Sequence, residues 1–463
     1  MNATLRAASR ACGFASVVVG LVGLVACSGA GGRANGGAPV VAQSPAVPFG
    51  EWETAWLGEL GATDPRLAMR MPEKPSADAV RKVAGAAVVR GGDDIGIVGG
   101  ALDVFSFGER ERLLHLLGNE LVSQHDDGAG ASAPAREERT LLSRLLDGEE
   151  LRVARERLSP DAGSERVRAI VATWGNVSRG REVAEREALI QRGLLEIVSD
   201  VATGALERPR VLELEDALDA LERLAVAEGY PDATKLITSL RVELGKAHPR
   251  VAPRPPPASV SLDVQLHTYL GVHEDRQTLM GRLEDEEASL RSDAKSRLGA
   301  LSDAVQRGAL EAAATHVGEE TACAASDEAL RASRARTLRP PPERALVCQA
   351  LQVAAASATA SEAMATVVLH DDVAIALWAL TLDSGATDLD ATRTAHALLA
   401  SVPADRQDRL VRAALVSPVR AIAPGLATAL VDAEGPGERH ERATRWLAYG
   451  DAPFDLVAAR IAR

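Results

Sequence analysis

The chain has 463 residues, 46% of them hydrophobic and 25% charged, with 3% aromatic residues and a formal net charge of −13. That is enough apolar sequence for two or three ordinary cores. The negative balance repels phosphates and argues against a nucleic-acid partner, and the scarcity of aromatic platforms disfavours stacking on sugar rings.

The first ten residues carry Arg6 and Arg10 and no acid, and residues 11–26 are all apolar or small. A basic start, a short apolar run and small residues before a cut site make a secretory leader. The run is too short and too glycine-rich for a transmembrane helix, which needs about 20 apolar residues. It ends in Leu24-Val25-Ala26-Cys27. This resembles the lipobox of bacterial lipoproteins, which reads aliphatic, small, small, cysteine. The resemblance implies cleavage of residues 1–26, a diacylglycerol on the Cys27 thiol and a membrane partner held through that lipid. Each buried methylene contributes about 0.8 kcal/mol, and one acyl chain holds only marginally, so two or three chains on Cys27 make release negligible. Loss of the leader removes two arginines and no acid, moving the net charge from −13 to −15. The expected location is the bacterial cell envelope, lipid-anchored, and Ser28 in place of Asp after the cysteine slightly favours the outer membrane.

Residues 27–48 are dominated by glycine, proline and alanine without a period, the composition of a flexible tether. Its 21 residues after Cys27 have a root-mean-square span of about 25 Å.

A helical domain is predicted over residues 49–250. Trp52, Trp56, Leu57 and Leu60 share one helical face; they pack into a first core or dock at a bilayer interface, where Trp is favoured. Ser106-Phe107-Gly108-Glu109 is a capping box before Leu113, Leu114, Leu117 and Leu121. Further stripes begin at Leu141, Val167 and Leu189. The clearest hairpin pairs Leu214, Leu218, Leu221 and Ala225 with Leu236, Ile237, Leu240 and Leu244 around Gly229-Tyr230-Pro231-Asp232. Asp219 and Arg223 can pair within its first helix at four-residue spacing. Short loops between amphipathic helices make antiparallel neighbours.

Proline-rich residues 251–258 form the internal boundary. In the segment 259–339, Val260, Leu262, Val264 and Leu266 alternate with polar residues and suggest an isolated strand, read either as an edge piece or as an irregular helix start. A long helix is expected from Asp275 to His316, its stripe of Leu283, Leu290, Ala294, Leu298, Leu301, Val305 and Ala312 broken at Glu287. Glu284-Asp285-Glu286-Glu287 reads as a solvated patch. Short alanine-rich helices fill residues 340–463, interrupted at Pro418 and Pro424, and weakly resemble HEAT-like repeats. The expected fold is therefore all-α: helical hairpins, partly stacked as an α-solenoid, after a signal peptide and tether.

Of four cysteines, Cys12 leaves with the leader and Cys27 takes lipid. Cys323 and Cys348 remain, and an exported pair usually bridges; the alternative is two buried thiols. Closing a loop of about 25 residues stabilises by about 3.5 kcal/mol in the chain-entropy description.

Nucleophile elbows, zincin motifs and phosphate loops are absent from the sequence, and Gly96-Ile97-Val98-Gly99-Gly100 lacks dinucleotide spacing. His125-Asp126 and His370-Asp371 set imidazole beside carboxylate, as in the all-helical HD-type metallophosphohydrolases, where such pairs bind a divalent metal that activates water. His115 and His396 could complete a ligand set. The competing reading makes the aspartates helix caps. His267 and His273, six apart, do not share a helical face, and Glu274 and Asp275 favour the start of the following helix. No cofactor is expected. The function these features favour is a non-enzymatic helical scaffold or protein-interaction module, with an envelope protein as the expected partner. The alternatives are an HD-type hydrolase and a periplasmic small-ligand binder.

Overall fold

The computed structural model describes residues 49–71, 75–83, 107–124, 133–158, 163–178, 180–202, 208–246, 260–315, 342–356, 362–382, 407, 414, 417–433, 438–450 and 452–461. The leader, Cys27, the tether, Gly96–Gly100, His125, Asp126, the 251–258 boundary, Cys323 and His396 lie outside the described residues. Those described form sixteen α-helices and one π-helical turn, with no strand among them. The fold is all-α.

The first core is built by α1 (Phe49–Thr63), α2 (Pro65–Arg70), α3 (Phe107–Gln124) and α4 (Ala133–Leu158). Trp52, Trp56 and Leu60 bury against Leu114, Leu117, Leu142 and Leu146. Phe49, Trp52 and Trp56 stack in series at 5.9 and 6.0 Å between ring centroids. Trp56 Nε1 donates to the Leu117 carbonyl at 3.0 Å, so its polar edge is satisfied inside the core. The tryptophans face protein, and the bilayer-docking alternative falls.

The second core is a four-helix group of α5 (Gly163–Val177), α6 (Val183–Ala202), α7 (Arg208–Glu228) and α8 (Pro231–Lys246). The α7–α8 corner closes as a Schellman motif. The Tyr230 amide donates to the Ala225 carbonyl at 2.8 Å and the Gly229 amide to that of Val226 at 3.2 Å. Gly229 takes φ +76°, which a side chain would oppose. Pro231 then opens α8, where its missing amide hydrogen is not needed. Asp219 meets Arg241 of the returning helix at 2.5 Å, an inter-helix pair where the spacing had suggested Arg223.

The third core contains α9 (Leu262–Gln265), a π turn (Leu266–Leu270), α10 (Arg276–Gly299), α12 (Pro342–Ala356), α13 (Glu362–Leu382), α14 (Pro418–Asp432), α15 (Arg439–Leu447) and α16 (Phe454–Ile461), while α11 (Asp303–Thr315) packs Leu310 into a small cluster with Ala294, Val367 and Val368 beside it. Of the two readings of 260–266, the strand fails and the irregular helix start holds: the stretch is α9 and the start of the π turn. Ser261 caps α9, its hydroxyl accepting from the Val264 amide. Val260, Leu262, Leu266, Tyr269 and Leu270 all bury. Positions two apart fall on opposite sides of a helix, so Val264 is only half-buried, and the inward face continues through Leu266, Tyr269 and Leu270 at three- and four-residue spacing.

The long helix expected over 275–316 is two helices. After Gly299 the chain turns at Ala300–Leu301, and Ser302 starts again, its carbonyl accepting from Gln306 at 2.9 Å. Val305, read as part of the stripe, is 55% exposed. Of the two expected interruptions, Pro418 does mark a boundary, since Ser417 before it is non-helical, but Pro424 does not. Pro418 occupies the first turn of α14, where it costs no hydrogen bond, and Pro424 is accommodated further along it.

α4 serves two cores. Leu142, Leu146 and Val153 face the first, while Leu141 and Leu151 join the third. α13 is the one helix among the described residues long and apolar enough to cross a membrane, yet 83% of that stretch is buried inside the protein. Its all-round apolarity fits a central core helix. α14 lies against it at Gly425, where a Cβ would sit 2.6 Å from both Ala376 Cβ and the Asp372 carbonyl oxygen.

Candidate functional site

α10 carries a buried polar seam. Leu279, Leu283, Leu290 and Ala294 form its inward stripe, and Glu286 and Glu287 occupy the same face between Leu283 and Leu290. The acidic run is therefore split by helical geometry: Glu284 and Asp285 are exposed, Glu286 and Glu287 buried. The solvated-patch expectation holds for the first two and fails for the second two.

Glu287 and α13 enclose His370. His370 Nε2 lies 3.0 Å from Glu287 Oε1, and Nδ1 lies 3.4 Å from Asp371 Oδ1. Arg291, one turn along α10, donates through Nε to Glu287 at 2.9 Å. Burial disfavours the charged ring, but the hydrogen bonds and charges of Asp371 and Glu287 outweigh it and raise the His370 pKa above the ordinary histidine value. An imidazolium between two carboxylates, with an arginine on one of them, balances charge. Both ring nitrogens are engaged by carboxylates, leaving neither aimed at a metal. Among the described residues no three His, Cys, Asp or Glu side chains are placed to hold one.

Glu286 belongs to an adjoining cluster with Asp432 at the end of α14 and Arg439 and Arg442 on α15. Arg439 Nη2 donates to Glu286 Oε1 at 2.9 Å, and its Nε donates to Asp432 Oδ2 at 2.6 Å. Arg442 holds the other Asp432 oxygen.

The second histidine pair is also brought together. The π turn carries His267, and Gly271 at φ +71° reverses the chain, bringing the His273 ring edge-on to that of His267 at 4.3 Å. Helical spacing could not have shown this, because the wide turn and the left-handed glycine change the angular step. Asp455 of α16 lies 3.3 Å from His273 Nε2 and receives Arg144 of α4 at 2.6 Å. Loss of hydration, with His273 and Arg144 nearby, lowers the His267 pKa. Asp275 caps α10, accepting from the Thr278 amide at 2.9 Å, and Glu274 pairs with Arg282. His115 is exposed and 3.6 Å from Glu150.

A third polar group joins α2, α3 and α4 around Asp64. Fully buried Arg110 pairs with Asp64 and, at 3.6 Å, with Glu156. Arg152 reaches Asp64, Glu149 and Glu156, and Arg70 reaches Glu149 at 2.7 Å. Burial works against ionised Glu149, but Arg152 and Arg70 prevail and lower its pKa. Helical spacing marks only the pairs of Arg152 with Glu149 and Glu156, three and four residues apart; the partners of Arg110 and Arg70, and the Arg152–Asp64 pair, lie far apart in sequence.

Cys348 is buried in the third core. No family model, curated protein or solved structure matches the chain. The class that fold and site define is an all-α protein whose buried charges meet opposite charges on neighbouring helices.

Proposed function

We infer that the protein is a lipid-anchored, non-enzymatic scaffold of the bacterial cell envelope. Cys27 carries the lipid, residues 28–48 form the tether, and the helical body offers binding surfaces to an envelope protein. The observation that carries this reading is Leu24-Val25-Ala26-Cys27 at the end of the only apolar leader. Two further features support it. Antiparallel hairpins such as α7–α8 suit stacked, solenoid-like grooves, which are broad protein-binding surfaces. The His370 and Asp64 clusters have a structural role, each joining helices through opposite charges, so neither calls for a substrate to explain it.

The experiment is photo-crosslinking from α7 and α8 of the anchored full chain in intact cells, followed by mass spectrometry. The expected result is one envelope protein captured reproducibly and lost when the tether is released from the membrane. Recovery of lipid alone from every surface position overturns the scaffold.

A further inference from the structure

The Glu286 cluster stands apart from the His370 pair, although the two acids are adjacent in sequence. Two carboxyl groups, from α10 and α14, converge on the guanidinium of Arg439, and Arg442 closes the far side of Asp432. The four side chains are between 10% and 19% exposed. Facing charges from the other helices packed on α10 are engaged elsewhere: His370 and Asp371 of α13 surround Glu287, and Glu362 pairs with Arg297. Asp293, two turns along α10, adds negative charge near Arg439, and Arg291 holds Glu287.

Two carboxylates this close in a poorly hydrated corner do not both ionise readily. Burial, then the hydrogen bond and charge of Asp432, push Glu286 up to about 8 against the pull of Arg439 and Arg442. Burial opposes ionised Asp432 too, but Arg439, the Glu286 hydrogen bond and Arg442 hold it below the usual range. We propose that one proton shared by Glu286 and Asp432 is a pH-operated latch: bound, it fastens α15 and the end of α14 to α10, and its loss as the medium turns alkaline loosens that corner. A group whose folded value is raised gives stability that is complete below its unfolded value and lost as pH rises through the folded one. The corner thus loosens progressively between pH 4.5 and about 8.

The test is hydrogen–deuterium exchange on the full chain at pH 5.5 and pH 8, corrected for intrinsic rates. It compares residues 439–447 with residues 163–177 of the second core. One proton changes a local opening constant by up to about tenfold per pH unit, so protection of 439–447 is expected to fall at least about tenfold while 163–177 stays level. Glu286→Gln keeps a permanent donor to Asp432 and removes the difference. Equal protection of 439–447 at both pH values, or a wild-type difference surviving in Glu286→Gln, overturns the latch. Should that variant fail to fold, infrared spectroscopy of the wild type decides. A protonated carboxyl band at pH 6.5 that vanishes by pH 9 supports the proposal, and no such band at pH 6.5 overturns it.

Discussion

Gly425→Ala measures how closely the two central helices approach. The added Cβ meets Ala376 Cβ and the Asp372 carbonyl oxygen at 2.6 Å and Val373 Cα at 2.9 Å. Two of these three atoms belong to the backbone of α13, so no side-chain rotation clears them. Ordinary carbon contacts lie at about 3.5–4.0 Å, and the helices must part by about 1 Å. Val373 and Leu426 are fully buried at this contact, so parting weakens dispersion along the whole interface. Overpacking of this kind costs about 1–3 kcal/mol, with lost contacts adding to it. Helix propensity works the other way and favours Ala by about 1 kcal/mol. The expected net effect is a destabilisation of about 2 kcal/mol, read as a lower urea midpoint at unchanged slope by circular dichroism and tryptophan fluorescence. A variant as stable as the wild type, or more stable, refutes the close approach, because propensity alone would then decide the sign.

Glu287→Gln weakens the charge that keeps His370 protonated. The raised His370 value gives stability present in full below the unfolded histidine value and lost as pH rises through the folded one. The variant should therefore show a smaller loss of stability between pH 6 and pH 8.5 than the wild type, measured by urea titration at each pH; identical profiles count against the pairing. Arg110→Met removes the cation between Asp64 and Glu156, and breaking a buried pair this way costs about 3–5 kcal/mol. The lower end is expected because Arg152 remains on both acids, and thermal melting of the purified chain checks it; a change under about 0.5 kcal/mol contradicts the account. Gly271→Ala meets both the left-handed φ of +71° and the Asp455 carboxylate. Its melting point should fall and the His267–His273 contact should open, seen as altered histidine ring shifts by NMR. Non-reducing peptide mapping should recover Cys323 joined to Cys348, and free thiols at both positions remove the bridge.

Helix type and the hairpins were legible because apolar spacing reports local geometry directly. The stripe through Leu214, Leu218, Leu221 and Ala225 and the Gly229-Tyr230-Pro231 corner contain their own instructions. The failures have equally local causes. At 260–266 the alternation of four apolar residues outweighed the three- and four-residue spacing that runs on through Leu266, Tyr269 and Leu270, and Ser261 supplies the cap of the helix that forms. Over 275–316 an apolar stripe continued across a point where Gly299 and Ser302 stop one helix and start another. The polar seam was hidden for a different reason. Glu286 and Glu287 complete the stripe from Leu283 to Leu290, but charge on an inward face reads as a break until the cations and acids from distant helices are known. Asp432 and Arg439 lie about 150 residues away, beyond any periodicity. The His267–His273 contact depended on a π turn and a left-handed glycine, neither of which leaves a periodic trace.

The central claim is the lipid on Cys27, and intact mass spectrometry of the full chain expressed in a bacterial host tests it most directly. The account predicts loss of residues 1–26, an N-terminal Cys27 heavier by a diacylglycerol, partitioning into the detergent phase, and return to the aqueous phase on Cys27→Ala. An unmodified Cys27 with the wild-type protein in the aqueous phase would contradict it.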